Sequence, residues 1–291
     1  MNKKMALILE GKTLALKKEE ELREKITNIK DKISFLIIQI GEDEGTKVYV
    51  RQKIKKSEKL GFIPIYKNFG EDISEEEIIN FIKEEQKKED IYGVICEQPI
   101  PSKYNSLRII ESIDHNKDID CLTPYNIGRL VWDQPIFYPA TPKAVVDLLE
   151  NYQIFPEGKK VLIISRSIII GKPLLLMLLK KSKLGNATVI CAHSKTKELK
   201  ELTKVADIII TAVGKPYFLT KEMVKEDSVI IDCGINVVEK EGKSVIVGDA
   251  HYDELLDKVK AITPVPGGVG VLTTINLLEN IFRSYERKKG V

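Results

Sequence analysis

The 291-residue chain has one tryptophan, three histidines and four cysteines. Cys96, Cys121, Cys191 and Cys233 form no C-x-x-C pair, and each sits in or beside an apolar segment. That pattern predicts buried, reduced thiols and excludes a disulfide framework or a thiolate metal site. His115, His193 and His251 lack metal-ligand spacing, so no metal is expected. No apolar run is long enough to span a bilayer, and the start MNKKMALILEGK does not read as a secretory signal. The expectation is a cytoplasmic protein that does not enter a membrane. An excess of charge is missing too. The 46 basic and 43 acidic side chains leave a net charge of +3, which is no footprint for nucleic acid. Lys17-Lys18, Lys55-Lys56 and Lys87-Lys88 alternate with acidic runs and read as solvated helix faces. Internal repeats and low-complexity tracts are also absent.

What is present is an apolar fraction of 43%, enough for one large or two ordinary domains. Helical spacing over 11–29 precedes an apolar strand over 33–40. Thr46 is expected to cap a helix through Leu60, ended by Gly61. A strand at 63–66, a helix at 73–85 beginning around Ser74, and a strand at 92–96 follow. Strands alternating with helices predict an α/β fold with a mostly parallel sheet. Residues 114–129 are polar and turn-rich and read as a functional loop. Thr141 is expected to cap a helix with Pro142 at its first position, and the domain change is placed here. Beyond it the pattern predicts strands at 160–164, 187–192, 207–211, 228–232 and 261–262, and helices at 171–182, 196–204 and near 220–224. A hairpin over 237–247 and a closing helix over 273–285 complete the reading.

The chain is organised around residues 160–180. Val161–Ile164 suits a strand buried on both faces, and the Leu/Met-rich run from Gly171 suits a helix with Pro173 in its first turn. A strand turning tightly into a helix N-terminus offers free backbone N–H groups and the helix dipole to an anion. The dinucleotide fingerprint wants G-x-G-x-x-G at this turn; Ser165 and Ser167 stand at the glycine places and only Gly171 remains. Taken alone, the stretch fits a nucleotide site or an ordinary buried βα unit.

Four groups can carry chemistry. Tyr49 and Lys53 lie four residues apart on one helix face, where a phenol and an ammonium can hold and protonate a small substrate. A half-buried Tyr and a surface Lys fit the same spacing. Asp118 and Asp120 in Lys117-Asp118-Ile119-Asp120 can accept paired N–H donors from a heterocycle, or can simply organise a turn. Thr263–Gly270 packs two prolines and three glycines into eight residues, which favours a ligand loop over a plain turn. After the strand ending near Ala192 the chain offers Ser194, Lys195 and Thr196, with no Asp or Glu to grip a ribose. With Arg166 nearby, that composition suits the extra phosphate of NADP, although an ordinary strand–helix loop also fits.

With these segments in order, the chain resembles the bifunctional methylenetetrahydrofolate dehydrogenase/cyclohydrolase family. The motifs are Y-V-x-x-K (49–53), P-x-P (99–101), K-D-x-D (117–120), P-x-T-P (139–142), R-S-x-I-x-G-x-P (166–173), H-S-K-T (193–196), D-x-G-I-N (232–236), G-D (248–249) and T-P-V-P-G-G-V-G (263–270). The resemblance implies two α/β domains around a cleft. Residues 1–138, completed by a C-terminal helix at 272–291, would form the folate and catalytic domain, and 139–271 a Rossmann-like NADP-binding domain with a parallel sheet. It implies a homodimer through the nucleotide domains and a role in one-carbon metabolism that feeds purine biosynthesis. Tetrahydrofolate derivatives would lie against Tyr49, Lys53, Glu97, Asp120, Pro266, Gly267 and Gly268, with Tyr49, Lys53, Glu97 and Asp120 catalytic. NADP would lie along Ser165, Arg166, Ser167, Ser194 and Ile235. Other readings are a monofunctional dehydrogenase, a dehydrogenase of another small ligand and a non-catalytic binder.

The chain departs from the family pattern at four places. Glu97 replaces a Gln and is followed by Gln98 where an apolar residue is usual; Ser165 and Cys121 replace glycines, and Val271 replaces a proline. Glu97 is the departure that bears on chemistry. Ionised, it favours an ammonium at Lys53; protonated, it resembles Gln. The pair is expected to titrate together, unless Glu97 turns away and Gln98 takes over the contact.

Overall fold

The structure, a computed structural model, describes residues 5–70 and 72–290. Residues 1–4, which open the segment read for a leader, lie outside the described residues. Strands run in chain order as β1 (Leu7–Ile8), β2 (Ser34–Ile40), β3 (Ile63–Phe69), β4 (Ile91–Cys96), β5 (Lys160–Ile164), β6 (Thr188–Ala192), β7 (Ile208–Thr211), β8 (Val229–Asp232), β9 (Asn236–Lys240), β10 (Lys243–Val247) and β11 (Ala261–Ile262). The chain divides into two compact units. One joins Lys17–Pro139 to the residues from Thr274 on; the other joins the residues up to Leu16 to Ala140–Thr273.

The Lys17–Pro139 unit is built on a parallel sheet of order β3-β2-β4. β2 and β4 are buried along their whole length, as expected of continuous apolar runs in a covered parallel sheet, whereas β3 is the partly exposed edge. The helix after β2 spans Glu44–Lys59. Its cap is Asp43 and not Thr46: the Asp43 carboxylate accepts from the Thr46 N–H and hydroxyl at 2.7 Å each. Asp outcompetes Thr there because its charge meets the positive end of the helix dipole. Gly61 follows at φ +88°, the left-handed stop that its sequence position predicts. Ser74 and Glu77 form a capping box on the helix Glu75–Glu85.

The segment 114–129 is not all loop. Thr123 caps a helix over Pro124–Val131 with Pro124 in its first turn, and a further helix, Ser106–Glu111, escaped the sequence reading. The closing helix is longer than predicted, Gly270–Lys289. Val271 lies in its first turn, where a proline is also tolerated, which accounts for the exchange seen at this position. From this helix the Asn280 side-chain amide donates to the carbonyls of Ile119 (2.8 Å) and Tyr138 (2.7 Å), and the Ser284 hydroxyl donates to Asn116 O (2.9 Å). A distant helix thus pins the backbone just ahead of Asp120.

The second unit carries a six-stranded parallel sheet of order β1-β11-β8-β7-β5-β6. Within Ala140–Thr273 this is the 2-1-3-4-5 order of a doubly wound sheet, whose switch point falls between β5 and β7. Leu162, Ile164, Ile209, Ile230 and Ile262 pack into its core with Leu219 and Leu255. β9 and β10 form the expected antiparallel hairpin. β1 adds to the sheet edge beside β11, so the described residues 5–16 cluster with this sheet. Two-residue strands leave no periodicity to read. The helix expected near 220–224 is only a turn, with Met223 N–H bonded to Thr220 O at 3.1 Å. The helix over Ala140–Asn151 begins one residue ahead of Thr141, and Leu199–Val205 begins later than expected.

Candidate active site

In the Lys17–Pro139 unit, Lys53 rises from the Glu44–Lys59 helix toward the carboxyl end of β4, where Glu97 follows Cys96. The Glu97 amide donates to Ile38 O (2.8 Å), which holds the residue at the sheet edge. Lys53 Nζ donates to both Glu97 carboxylate oxygens, at 2.5 and 2.7 Å. The Glu97 side chain is 9% exposed and that of Lys53 20%. Gln98 does not take over this contact: its amide turns back to Cys96 O at 3.3 Å. The pair stands 44 residues apart in sequence, so only folding brings it together.

The two carboxylates of K-D-x-D divide their work. Asp118 is buried and accepts from Leu122 N (3.0 Å), Thr123 N (2.8 Å), Thr123 Oγ1 (2.7 Å) and Asn126 Nδ2 (2.8 Å). It is the turn organiser that ties this segment to the next helix. Asp120 accepts no side-chain hydrogen bond among the described residues, in contrast to Asp118. Its carboxyl is pushed up to about 6, first by burial, with Glu97 adding to the rise and Lys53 opposing it. Cys121 follows at φ +58°, where a β-carbon costs on the order of 1–2 kcal/mol; a glycine at this position would avoid that cost. Tyr49, 37% exposed, sits one turn before Lys53, and burial raises its phenol. Lys53 donates to Glu97, and no hydrogen bond joins Tyr49 to Lys53.

The second candidate region lies in the other unit, at the carboxyl ends of its strands. After β5, the Ser167 hydroxyl accepts from Ile170 N (3.1 Å) and Gly171 N (3.3 Å), and the Ser167 carbonyl accepts from Lys172 N (3.0 Å). The first-turn amides expected to stand free are therefore already engaged by a serine where the fingerprint has glycine. Gly171 keeps the role of the third fingerprint glycine: a β-carbon there would meet Ser165 O at 2.2 Å. Ser165 is buried, while Arg166 and Ser167 are exposed. After β6, Ser194 and Lys195 are exposed in a loop held by His193 N–H to Thr196 Oγ1 (2.8 Å). Past β8, Ile235 is 44% exposed. The Thr263–Gly270 loop carries Gly267 at φ +114°, a torsion only glycine adopts readily, next to Pro266. Ser165, Arg166, Ser167 and Ser194 thus share the carboxyl edge of the sheet, with Ile235 just beyond β8. An exposed guanidinium and hydroxyls, with no acidic residue at the end of β6 or over residues 193–197, fit a phosphorylated dinucleotide.

Sequence reading missed the two carboxylates that build this edge. Asp232 and Asp249 are both buried, at 2% and 0% exposure. Burial pushes Asp232 up to about 7, against the hydrogen bonds it accepts from Ala250 and Gly234. Their motifs, D-x-G-I-N and G-D, were visible as text, but nothing in them says that the carboxylates face each other's loops. The cysteines also divide: Cys96 and Cys121 are buried as expected, whereas Cys191 is exposed and Cys233 half-buried, and all four are free thiols.

Two family models match the chain, tetrahydrofolate dehydrogenase/cyclohydrolase, catalytic domain, over residues 9–120, and tetrahydrofolate dehydrogenase/cyclohydrolase, NAD(P)-binding domain, over residues 139–289. The chain belongs to the tetrahydrofolate dehydrogenase/cyclohydrolase family. It is 40% identical over 288 residues to the bifunctional protein FolD of Dictyoglomus thermophilum, covering 98% of this chain and 99% of that one. The crystal structure of the bifunctional FolD of Campylobacter jejuni superposes with a TM-score of 0.90 at 37% identity over 97% and 99% of the two chains. The FolD of Trypanosoma brucei, solved with NADP cofactor and an inhibitor, gives a TM-score of 0.92 at 27% identity over 99% of each. In this family member the described residues contain no helix long and apolar enough to cross a membrane and no metal-binding cluster.

Proposed function

We infer that the protein oxidises 5,10-methylenetetrahydrofolate to the 5,10-methenyl form with NADP⁺ and hydrolyses that product to 10-formyltetrahydrofolate. The observation that carries this reading is the Lys53–Glu97 pair with Asp120 close enough for its carboxyl to respond to both charges. Bound NADP⁺ supplies the hydride acceptor. Asp120 anchors the N–H donors of the pterin ring. Lys53 exchanges protons with the water that adds to the methenyl carbon, and Glu97 holds its amine in place. Tyr49 packs against the same ligand. Pro266, Gly267 and Gly268 complete the folate contacts, and Ser165, Arg166, Ser167, Ser194 and Ile235 hold NADP. In this proposal residues 1–138 and 272–291 serve folate chemistry and 139–271 serve the nucleotide. Homodimerisation through the nucleotide units, a cytoplasmic location and the feeding of purine biosynthesis rest on family likeness. A monofunctional dehydrogenase is the less supported alternative, since relatives near 40% identity carry the bifunctional name.

An absorbance assay with methylenetetrahydrofolate and each cofactor tests the reading. NADP⁺-dependent formation of the methenyl product, followed by its decay, is expected. No turnover with either cofactor would sink the enzyme reading.

Arg166 is exposed at the nucleotide edge and supplies a guanidinium to the extra phosphate. Arg166→Ala is expected to raise KM for NADP⁺ by about tenfold or more, the size of one or two charge-assisted hydrogen bonds, and KM for NAD⁺ by less than about twofold. Equal losses would show that Arg166 does not read that phosphate.

A further inference from the structure

Asp249 sits between the loops that follow β7 and β8, and five donors reach its two oxygens. Thr211 Oγ1 (3.2 Å), Val213 N (2.5 Å) and Gly214 N (3.3 Å) donate to Oδ2. Lys215 N (2.9 Å) and Asn236 Nδ2 (3.0 Å) donate to Oδ1. Three successive backbone amides turned onto one carboxylate make a nest of the kind that loops use to wrap an anion. Here the anion belongs to the chain itself. The 211–215 loop leaves β7 at the switch point of the sheet, where a doubly wound fold receives its ligand. Asn236 adjoins Ile235, the exposed residue just past β8.

Asp249 is itself held. Its amide donates to Asp232 Oδ1 (3.1 Å), and the next amide, Ala250, donates to Asp232 Oδ2 (2.7 Å). Asp232 Oδ1 also accepts from Gly234 N (2.8 Å). The approach leaves no room for side chains. A β-carbon on Gly234 would lie 2.3 Å from the Asp249 carboxylate, and one on Gly248 would lie 2.0 Å from Asp232 Oδ2. The two aspartates and two glycines form one interlocked unit, and neither carboxylate carries a free edge for a ligand.

We propose that Asp249 is a positioning residue for the dinucleotide: its carboxylate shapes the loops after β7 and β8 into the surface on which the cofactor lies, without touching the cofactor. This rests on the nucleotide reading given above. Because every neighbour of the two oxygens donates, Asp249→Asn keeps the shape but sets an amide N–H₂ against N–H donors in either orientation. The loops must then move, and nucleotide affinity falls with them.

The test titrates NADP⁺ into the intact parent chain and into Asp249→Asn by calorimetry, with circular dichroism and thermal melting on the same preparations. The expected result is a folded variant whose Kd for NADP⁺ rises by tenfold or more. A lower melting temperature with an unchanged Kd is what a merely structural aspartate gives, and it would overturn the proposal. Where Asp249→Asn does not fold, Thr211→Val and Asn236→Ala each remove a single donor and leave the charge in place. Each is expected to raise Kd two- to fivefold, and an unchanged Kd in both overturns the proposal. A parent chain that binds neither NADP⁺ nor NAD⁺ overturns the underlying nucleotide reading as well, so the two failures are distinguishable.

Discussion

Replacing Lys53 by Met lowers hydrolysis of methenyltetrahydrofolate by about 10²–10⁴-fold, the usual worth of a positioned acid–base group, while hydride transfer persists at a reduced level. Met preserves the length and apolar stem of the side chain and removes only the amine. The variant also strands Glu97, whose side chain is 9% exposed, without its cation. Loss of one partner of a buried pair costs several kcal/mol; Lys53 keeps a fifth of its surface in solvent, so a smaller cost, on the order of 1–3 kcal/mol, is expected. The double variant Lys53→Met/Glu97→Gln separates the two effects. It should regain most of the lost stability and none of the hydrolysis. Normal hydrolysis in the single variant would remove Lys53 from the mechanism.

Glu97→Gln has the opposite sign. A neutral amide still accepts from Lys53 but carries no charge to hold it, so the amine is freer to leave Glu97 and meet the attacking water. Hydrolysis at pH 7 is expected to rise about fivefold, equivalent to ~1 kcal/mol, the scale of a partly exposed ion pair. The pH profile moves as well. Asp120 sits near 6, above its ordinary value of 3.8, and Glu97 contributes to that rise. Activity that needs ionised Asp120 is therefore present above about 6 and is lost as pH falls through that value. Removing the Glu97 charge takes away one cause of the rise and frees Lys53 to oppose it further. The acid limb should then shift to lower pH in both reactions. Rate measurements from pH 5 to 9 on parent and variant decide this; an unmoved acid limb and an unchanged rate at pH 7 would show that Glu97 governs neither group. Absence of hydrolysis in the parent at every pH would leave a monofunctional dehydrogenase.

Much of this architecture was legible in the sequence because it depends on short-range order. β2 and β4 are apolar runs of strand length, Ser74 and Glu77 spell out their own cap, and Gly61 marks a helix end. Tyr49 and Lys53 share a face by helical spacing alone. The errors fell where two local signals competed or none was present. Asp43 took the cap from Thr46, Pro124 opened a helix inside a stretch that read as loop, and β1 was too short to show a period.

The sequence by itself determined the alternation of strands and helices, the residue types available for chemistry and, through ordered motifs, the family. Those properties follow from propensity, periodicity and spacing, which act over a few residues. Only the tertiary structure decided which of two aspartates organises the turn, since Asp118 meets Thr123 and Asn126 while Asp120 accepts no such bond among the described residues. It alone set Glu97 against Lys53, with Gln98 turned away, and it alone closed Asp232 and Asp249 around the nucleotide edge. The Lys53–Glu97 and Asp232–Asp249 contacts depend on which groups a parallel sheet and its crossovers bring to about 3 Å from positions 44 and 17 residues apart in the chain. Burial then fixes their charge and hydrogen bonding, and no local pattern encodes that distance.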